Sequence, residues 1–185
     1  MTRSFVFGGA RSGKSRYAEN LAAQSGKPVV YLATAQAGDT EMQARIAHHR
    51  VRRDAAWTTA EEPLALGAAL RTWSAPGNVV LVDCLTVWLS NLLFSENREY
   101  PEVGTIVPPV RFTEEREAFL AALDTVRGDI VIVSNEVGMG IVPQGAVSRW
   151  FVDEAGRLNQ DMAARCERAV WVAAGLPLVL KEKAC

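Results

Sequence analysis

Gly8-Gly9-Ala10-Arg11-Ser12-Gly13-Lys14-Ser15 is the stretch that decides the fold. Its spacing is G-x-x-x-x-G-K-[ST], and it lies after an apolar run, Ser4–Phe7, and before a helical pattern that begins at Lys14. Each position has a physical reason. Glycines let backbone N–H groups converge on an anion without Cβ collisions. The first turn of a helix adds the positive end of its dipole. Lys14 has the length to meet the β- and γ-phosphates of a nucleoside triphosphate, and the Ser15 hydroxyl suits Mg²⁺. The stretch predicts a phosphate cradle rather than a glycine-rich turn carrying an exposed lysine.

The surrounding pattern agrees. Short β-branched runs alternate with helical periodicity, the mark of an α/β protein with a mostly parallel sheet. Strands are expected at Ser4–Phe7, Val29–Ala33, Val79–Val82, Ile130–Ser134, Ala169–Ala173 and Leu178–Leu180, the last two around a turn at Gly175-Leu176-Pro177. Helices are expected over Lys14–Gln24, Thr40–Arg53, Leu64–Trp73, Leu85–Phe94, Thr113–Arg127 and Val147–Arg165. Ser95–Val110 contains Pro101, Pro108 and Pro109 without a clear period and reads as a long loop. No internal repeat or low-complexity segment divides the chain, so 1–185 reads as a single domain.

Asp83 closes the apolar run Val79-Val80-Leu81-Val82. Ligands collect at the carboxyl ends of parallel strands, and a carboxylate there suits Mg²⁺ held through water. The alternative is that Asp83 caps the helix beginning near Leu85. Ser15 and Asp83 are thus the candidate metal-side residues, and Lys14 the candidate catalytic cation.

Composition narrows the class. The chain has 185 residues, 49% hydrophobic and 22% charged, which suits one well-packed globular unit and not a disordered one. A formal net charge of −1 leaves no basic field for nucleic acid or an anionic membrane. Cys84, Cys166 and Cys185 leave one thiol unpaired under any pairing and have no metal-ligand spacing, so reduced thiols in a cytoplasmic protein are expected. The N-terminus does not read as a signal peptide, and no apolar stretch approaches the length of a membrane span.

The only histidines are adjacent, His48 and His49, on the predicted polar helix. At about 100° per residue, His49 falls on the stripe of Met42 and Ile46 and suits a packed imidazole. His48 falls beside Arg45 and Arg52 and suits chemistry on a phosphate. A neutral imidazole nitrogen can attack an α-phosphorus, expel pyrophosphate and keep the nucleotidyl group. Neighbouring arginines would stabilise the phosphoryl oxygens and favour the neutral imidazole. Taken alone, such a pair on an arginine-rich helix is most often a solvated face. To this point a plain small-molecule kinase and a nucleotide-dependent switch also fit.

The residues closely resemble one family. Gly8–Ser15 reads as its GGARSGKS loop. Ala33-Thr34-Ala35, the Arg45–Arg50 segment, Trp57-Thr58-Thr59-Ala60-Glu61, Asn91-Leu92-Leu93-Phe94, the run from Ser134 to Pro143 and Ala155-Gly156-Arg157-Leu158-Asn159-Gln160 follow in its order. This is the bifunctional adenosylcobinamide kinase / adenosylcobinamide-phosphate guanylyltransferase family of cobalamin biosynthesis. The resemblance implies a P-loop NTPase with a RecA-like, mostly parallel sheet flanked by helices, assembled as a homotrimer. It implies phosphorylation of adenosylcobinamide by ATP or GTP, with Mg²⁺. It then implies transfer of GMP from GTP to adenosylcobinamide-phosphate through a guanylyl group on His48. It further implies nucleotide contacts at Gly8, Gly9, Ala10, Arg11, Ser12, Gly13, Lys14 and Ser15, at Ala33, Thr34 and Ala35, at Val51, Arg52, Arg53 and Asp54, and at Glu61 and Asp83.

Two places depart from the pattern or leave a choice. Ser95–Thr113 matches the family poorly, and either borders the corrinoid or is a tolerated surface insertion. Glu136 is either a polar participant in the kinase step or a partner of backbone in its glycine-rich turn. The two reactions also make different demands. One needs the γ-phosphate near an acceptor hydroxyl, the other the α-phosphate near His48. Movement of the Thr40–Arg53 helix, or two nucleotide poses on one loop, is expected.

Overall fold

A computed structural model of the chain describes residues 2–36, 54–96 and 98–183. In chain order these form β1 (Arg3–Gly8), α1 (Lys14–Gln24), β2 (Val29–Ala33), β3 (Thr58–Glu61), α2 (Leu66–Trp73), β4 (Val79–Asp83), α3 (Leu85–Leu93), α4 (Val110–Thr125), β5 (Asp129–Asn135), α5 (Ala146–Arg165), β6 (Arg168–Ala173) and β7 (Leu176–Glu182). The predicted helix Thr40–Arg53, with His48, His49, Val51, Arg52 and Arg53, lies outside the described residues, as does Cys185.

The strands make one sheet in the order β3-β2-β4-β5-β1-β6-β7. Every pairing is parallel except β7 on β6. Parallel strands in the middle of such a sheet are covered on both faces, which is why they read as unbroken apolar runs. Alternate side chains go to opposite sides. Phe5, Leu32, Val82 and Ile132 face a core shared with Leu70, Trp88, Phe119 and Leu158 of the helices. Val6, Tyr31, Leu81 and Val133 face the other side, where α1 lays Ala18 and Ala22 against them. Two alanines four residues apart bring the α1 axis close to the sheet, which fixes where its first turn sits.

The edges differ from the expectation. β3 carries no apolar run; Thr58-Thr59-Ala60-Glu61 is almost wholly exposed and owes its conformation to pairing with β2. The hairpin turn between β6 and β7 is not at Gly175-Leu176-Pro177 but at Ala174 and Gly175, with φ of 51° and 79°. Two consecutive positive-φ residues give the two-residue turn whose twist suits a hairpin. Leu176 and Pro177 are already in β7, where an edge strand tolerates proline. The helix expected from Thr113 starts at Val110, directly after Pro108-Pro109, because proline restrains the chain before a first turn without needing a donor there.

Candidate functional site

The carboxyl ends of five strands meet along one edge of the sheet. Register places Gly8 of β1 beside Asn135 of β5, Ala33 of β2 beside both Glu61 of β3 and Asp83 of β4, and Asp83 beside Val133 of β5. Gly8–Ser15, Ala33–Ala35, Glu61 and Asp83, separate in sequence, therefore share this edge. Asp54 lies exposed just before β3, its carboxylate accepting the Ala56 N–H at 2.9 Å.

The loop after β1 has the geometry that its glycines allow. A Cβ at Gly8 would lie 2.2 Å from the Val172 carbonyl oxygen, so no other residue fits there. Gly13 has φ 95° and precedes α1 as its N-cap, without a side chain to cap it. Arg11 also adopts positive φ, 55°. The loop is tied down by Ser12 N–H to the Gly9 carbonyl at 3.2 Å, and by Gly175 N–H to the Ser12 carbonyl at 2.8 Å. No acidic residue stands in the first turn of α1. The free amides and dipole of that turn are left for an anion.

Lys14 is 8% exposed. Its ammonium donates to the Gly9 carbonyl at 3.2 Å, and no carboxylate among the described residues lies within ion-pair distance. Burial lowers its pKa, while Cys84 and the Asp83 carboxylate pull it upward without cancelling the effect. A buried cation held by one neutral carbonyl is undercompensated, and a polyphosphate would supply the missing charge.

Asp83 does not cap α3. Its Oδ2 accepts the Tyr31 hydroxyl at 2.7 Å, and its carboxylate takes no α3 amide. Ser15 is half-buried, and its hydroxyl has no hydrogen-bond partner among the described residues. Groups of three or more metal-ligating side chains are absent among the described residues. That donor set still fits Mg²⁺ bound with a nucleotide, which takes one or two protein oxygens and completes its shell with water and phosphate oxygens. Ser15 and Asp83 are the residues that would hold it.

Of the residues that join these groups, Thr34 is an expected nucleotide contact, whereas Asn91, Thr86, Asn135 and Asn159 had no role assigned from sequence. Thr34 is fully buried; its hydroxyl donates to the Cys84 carbonyl at 2.8 Å and accepts the Cys84 N–H at 2.9 Å, latching β2 to the start of α3. Asn91 donates to the Thr34 carbonyl at 2.8 Å. Thr86 accepts both the backbone and the side-chain N–H of Asn135, each at 2.9 Å, and Asn159 donates to the Asn135 carbonyl at 3.1 Å. Burial pushes the Cys84 thiol up. Glu136 resolves toward backbone: its Oε1 accepts the Gly138 N–H at 2.7 Å.

Comparison with known proteins extends this geometry. Residues 4–180 match the family described as cobinamide kinase / cobinamide phosphate guanyltransferase. The chain is 55% identical over 179 residues to the bifunctional adenosylcobalamin biosynthesis protein CobP of Pseudomonas aeruginosa, covering 97% of each. It is 41% identical over 178 residues to the bifunctional adenosylcobalamin biosynthesis protein CobU of Salmonella typhimurium, covering 95% of this chain and 98% of that protein. Among solved structures it is similar to a prototypical ATPase of a bacterial type III secretion system, with TM-score 0.53 and 12% identity over 96% of this chain and 56% of that one. The RadB recombinase gives TM-score 0.50 and 16% identity over 92% and 73%. At such identities the likeness concerns the fold, which is that of the P-loop NTPases.

Proposed function

The chain belongs to the cobinamide kinase / cobinamide phosphate guanyltransferase family, and we propose that it runs both reactions from one phosphate grip. It is a bifunctional enzyme of adenosylcobalamin biosynthesis, a kinase and a nucleotidyltransferase. Its first substrate is adenosylcobinamide. The substrate's aminopropanol hydroxyl oxygen attacks the γ-phosphorus of ATP or GTP, loses its proton, and releases the nucleoside diphosphate. In the second reaction an imidazole nitrogen of His48 attacks the α-phosphorus of GTP and pyrophosphate leaves. The new P–N bond then breaks as an oxygen of adenosylcobinamide-phosphate attacks the same phosphorus, which gives adenosylcobinamide-GDP and restores the imidazole.

One observation carries this reading: Lys14 buried at the uncapped start of α1, with a single carbonyl partner and Asp83 nearby. The loop amides orient the polyphosphate, and Lys14 stabilises charge as it develops on the phosphoryl oxygens. Mg²⁺, when bound, neutralises further phosphate charge. Tyr31 holds the Asp83 carboxylate in place through its hydroxyl. Residues Ala33–Ala35, Val51, Arg52, Arg53, Asp54 and Glu61 are assigned to the nucleotide by family resemblance. A homotrimer is proposed from the family resemblance, and the exposed apolar side chains of β7, Leu176, Leu178, Val179 and Leu180, offer a surface for contact between copies. Among the described residues no helix is long and apolar enough to cross a membrane; a cytoplasmic location is proposed from the nucleotide substrates.

The test is retention of label. The protein is incubated with Mg²⁺ and α-labelled GTP without corrinoid, and acid-labile, alkali-stable label on the protein is measured. Wild type and His49→Ala should carry it and His48→Ala should not. Label persisting in His48→Ala refutes the histidine assignment.

A further inference from the structure

Beside the phosphate grip the surface changes character. Glu136 N–H donates to the Gly8 carbonyl at 3.0 Å, so the segment after β5 departs from the first glycine of the cradle. From Val137 to Ser148 that segment has no charged residue. Val137 and Val147 pack against the core and Ala146 is buried, but the apolar side chains between them point to solvent: Met139 is 75% exposed, Ile141 98% and Val142 73%. The segment before α4 joins it. The Glu102 carbonyl accepts the Ala146 N–H at 2.9 Å, which ties that loop to the start of α5, and Val103 and Val107 are exposed as well. Two loops from different parts of the chain thus form one apolar rim at the carboxyl edge of the sheet.

Folding alone does not account for this rim, since five aliphatic side chains left in water gain nothing from the core. We infer that it is the platform for the corrin macrocycle of the acceptor, an inference that rests on the cobinamide reading above. The chemistry matches on three counts. The acceptor is a broad ring that carries the adenosyl ligand on one face, leaves apolar ring surface for packing, and has neutral amides on its rim. An uncharged loop with accessible backbone groups can pack that surface and hydrogen-bond those amides. The platform is also continuous with the nucleotide site through the Glu136–Gly8 bond, so a ring seated there keeps its aminopropanol arm within reach of the phosphates. The loop that carries Val103 and Val107 accordingly borders the corrinoid. β7 carries a further exposed apolar surface, but it runs away from this edge toward the far end of β6.

Ile141→Asp and Val107→Asp test this. For each, corrinoid KM and GTP KM are measured in the full reaction, label from α-labelled GTP is measured without corrinoid, and oligomeric state by light scattering. In both variants corrinoid KM should rise about tenfold or more, the scale of losing one buried aliphatic contact. GTP KM, label uptake and oligomeric state should stay as in wild type. An unchanged corrinoid KM in either variant overturns the platform, and so does a change of oligomeric state that accounts for the KM shift, since the rim would then be a contact between copies. Failure of the wild type itself to take α-label would instead strike the guanylyl-transfer reading.

Discussion

The two ends of the same sheet treat charge in opposite ways. At the amino edge most half-buried charges among the described residues have a counter-charge; Lys181 is an exception, its ammonium donating to the Ala163 and Ala164 carbonyls at the end of α5. Arg3 at the start of β1 grips Glu167 with Nη2 to Oε1 at 2.9 Å, and its own backbone N–H donates to Oε2 at 2.7 Å. Asp129 at the start of β5 takes the Lys27 ammonium, and the Thr2 N–H at 2.7 Å. Asp161 binds Arg116 at 2.5 Å and Arg165 at 3.0 Å. At the carboxyl edge Lys14 is more buried than any of these cations and has only a carbonyl. Structure is stabilised at one end, and binding capacity is held in reserve at the other.

The largest test of that contrast is Lys14→Ala. Turnover in both half-reactions should fall about 10²-fold or more, the scale of removing one preorganised charge-stabilising group. Thermal melting should be unchanged or slightly higher, because an undercompensated charge has been removed. A variant that melts well below wild type would make Lys14 a structural residue. Next comes Arg3→Ala, which strands Glu167 against the β1 backbone. Urea unfolding should show a loss of about 1–3 kcal/mol with kcat unchanged; a fall in kcat would mean that the two edges are coupled.

A pH titration sharpens the same point. Burial pushes the Glu167 carboxyl up, but hydrogen bonds from the Arg3 side chain and backbone outweigh it and hold its pKa at about 2, against 4.5 ordinarily. A depressed carboxylate stabilises the fold above its unfolded pKa, and that contribution is lost as pH falls from about 4.5 toward 2. After solvent screening the loss should be about 1–2 kcal/mol. In Glu167→Gln the slope of stability over that window should flatten. The smallest effect is expected for Lys27→Ala, whose half-exposed pair with Asp129 should contribute under about 1 kcal/mol by denaturant midpoint.

Legibility in the sequence followed the locality of the signal. α1 and β2 have the predicted bounds, because a helix that opens on its phosphate loop and a strand buried on both faces are each written in consecutive residues. β3 was missed because Thr58-Thr59-Ala60-Glu61 has no buried face to leave a pattern. The Ala174-Gly175 turn was displaced because Pro177 read as a breaker, although on an edge strand it breaks nothing. At the site, Gly8–Ser15 was legible from spacing and Asp83 from its place after an apolar run. Its supports were not: Tyr31 meets Asp83 across 52 residues and Thr86 meets Asn135 across 49; Thr34 was named, but its latch to Cys84 across 50 residues was not. Pairings at such separations are set by strand order, which no local period records. His48 was read from helical projection and family resemblance, and it lies outside the described residues.

Doubly labelled GTP tests most directly whether one phosphate grip serves both transfers. Wild type given adenosylcobinamide and GTP labelled at both α and γ positions should place γ-label, then α-label, on the corrinoid. His48→Ala should stop at the γ-labelled corrinoid phosphate, and Lys14→Ala should lose both labels together. α-Label reaching the corrinoid in His48→Ala, or either label arriving at a near-normal rate in Lys14→Ala, would contradict this reading.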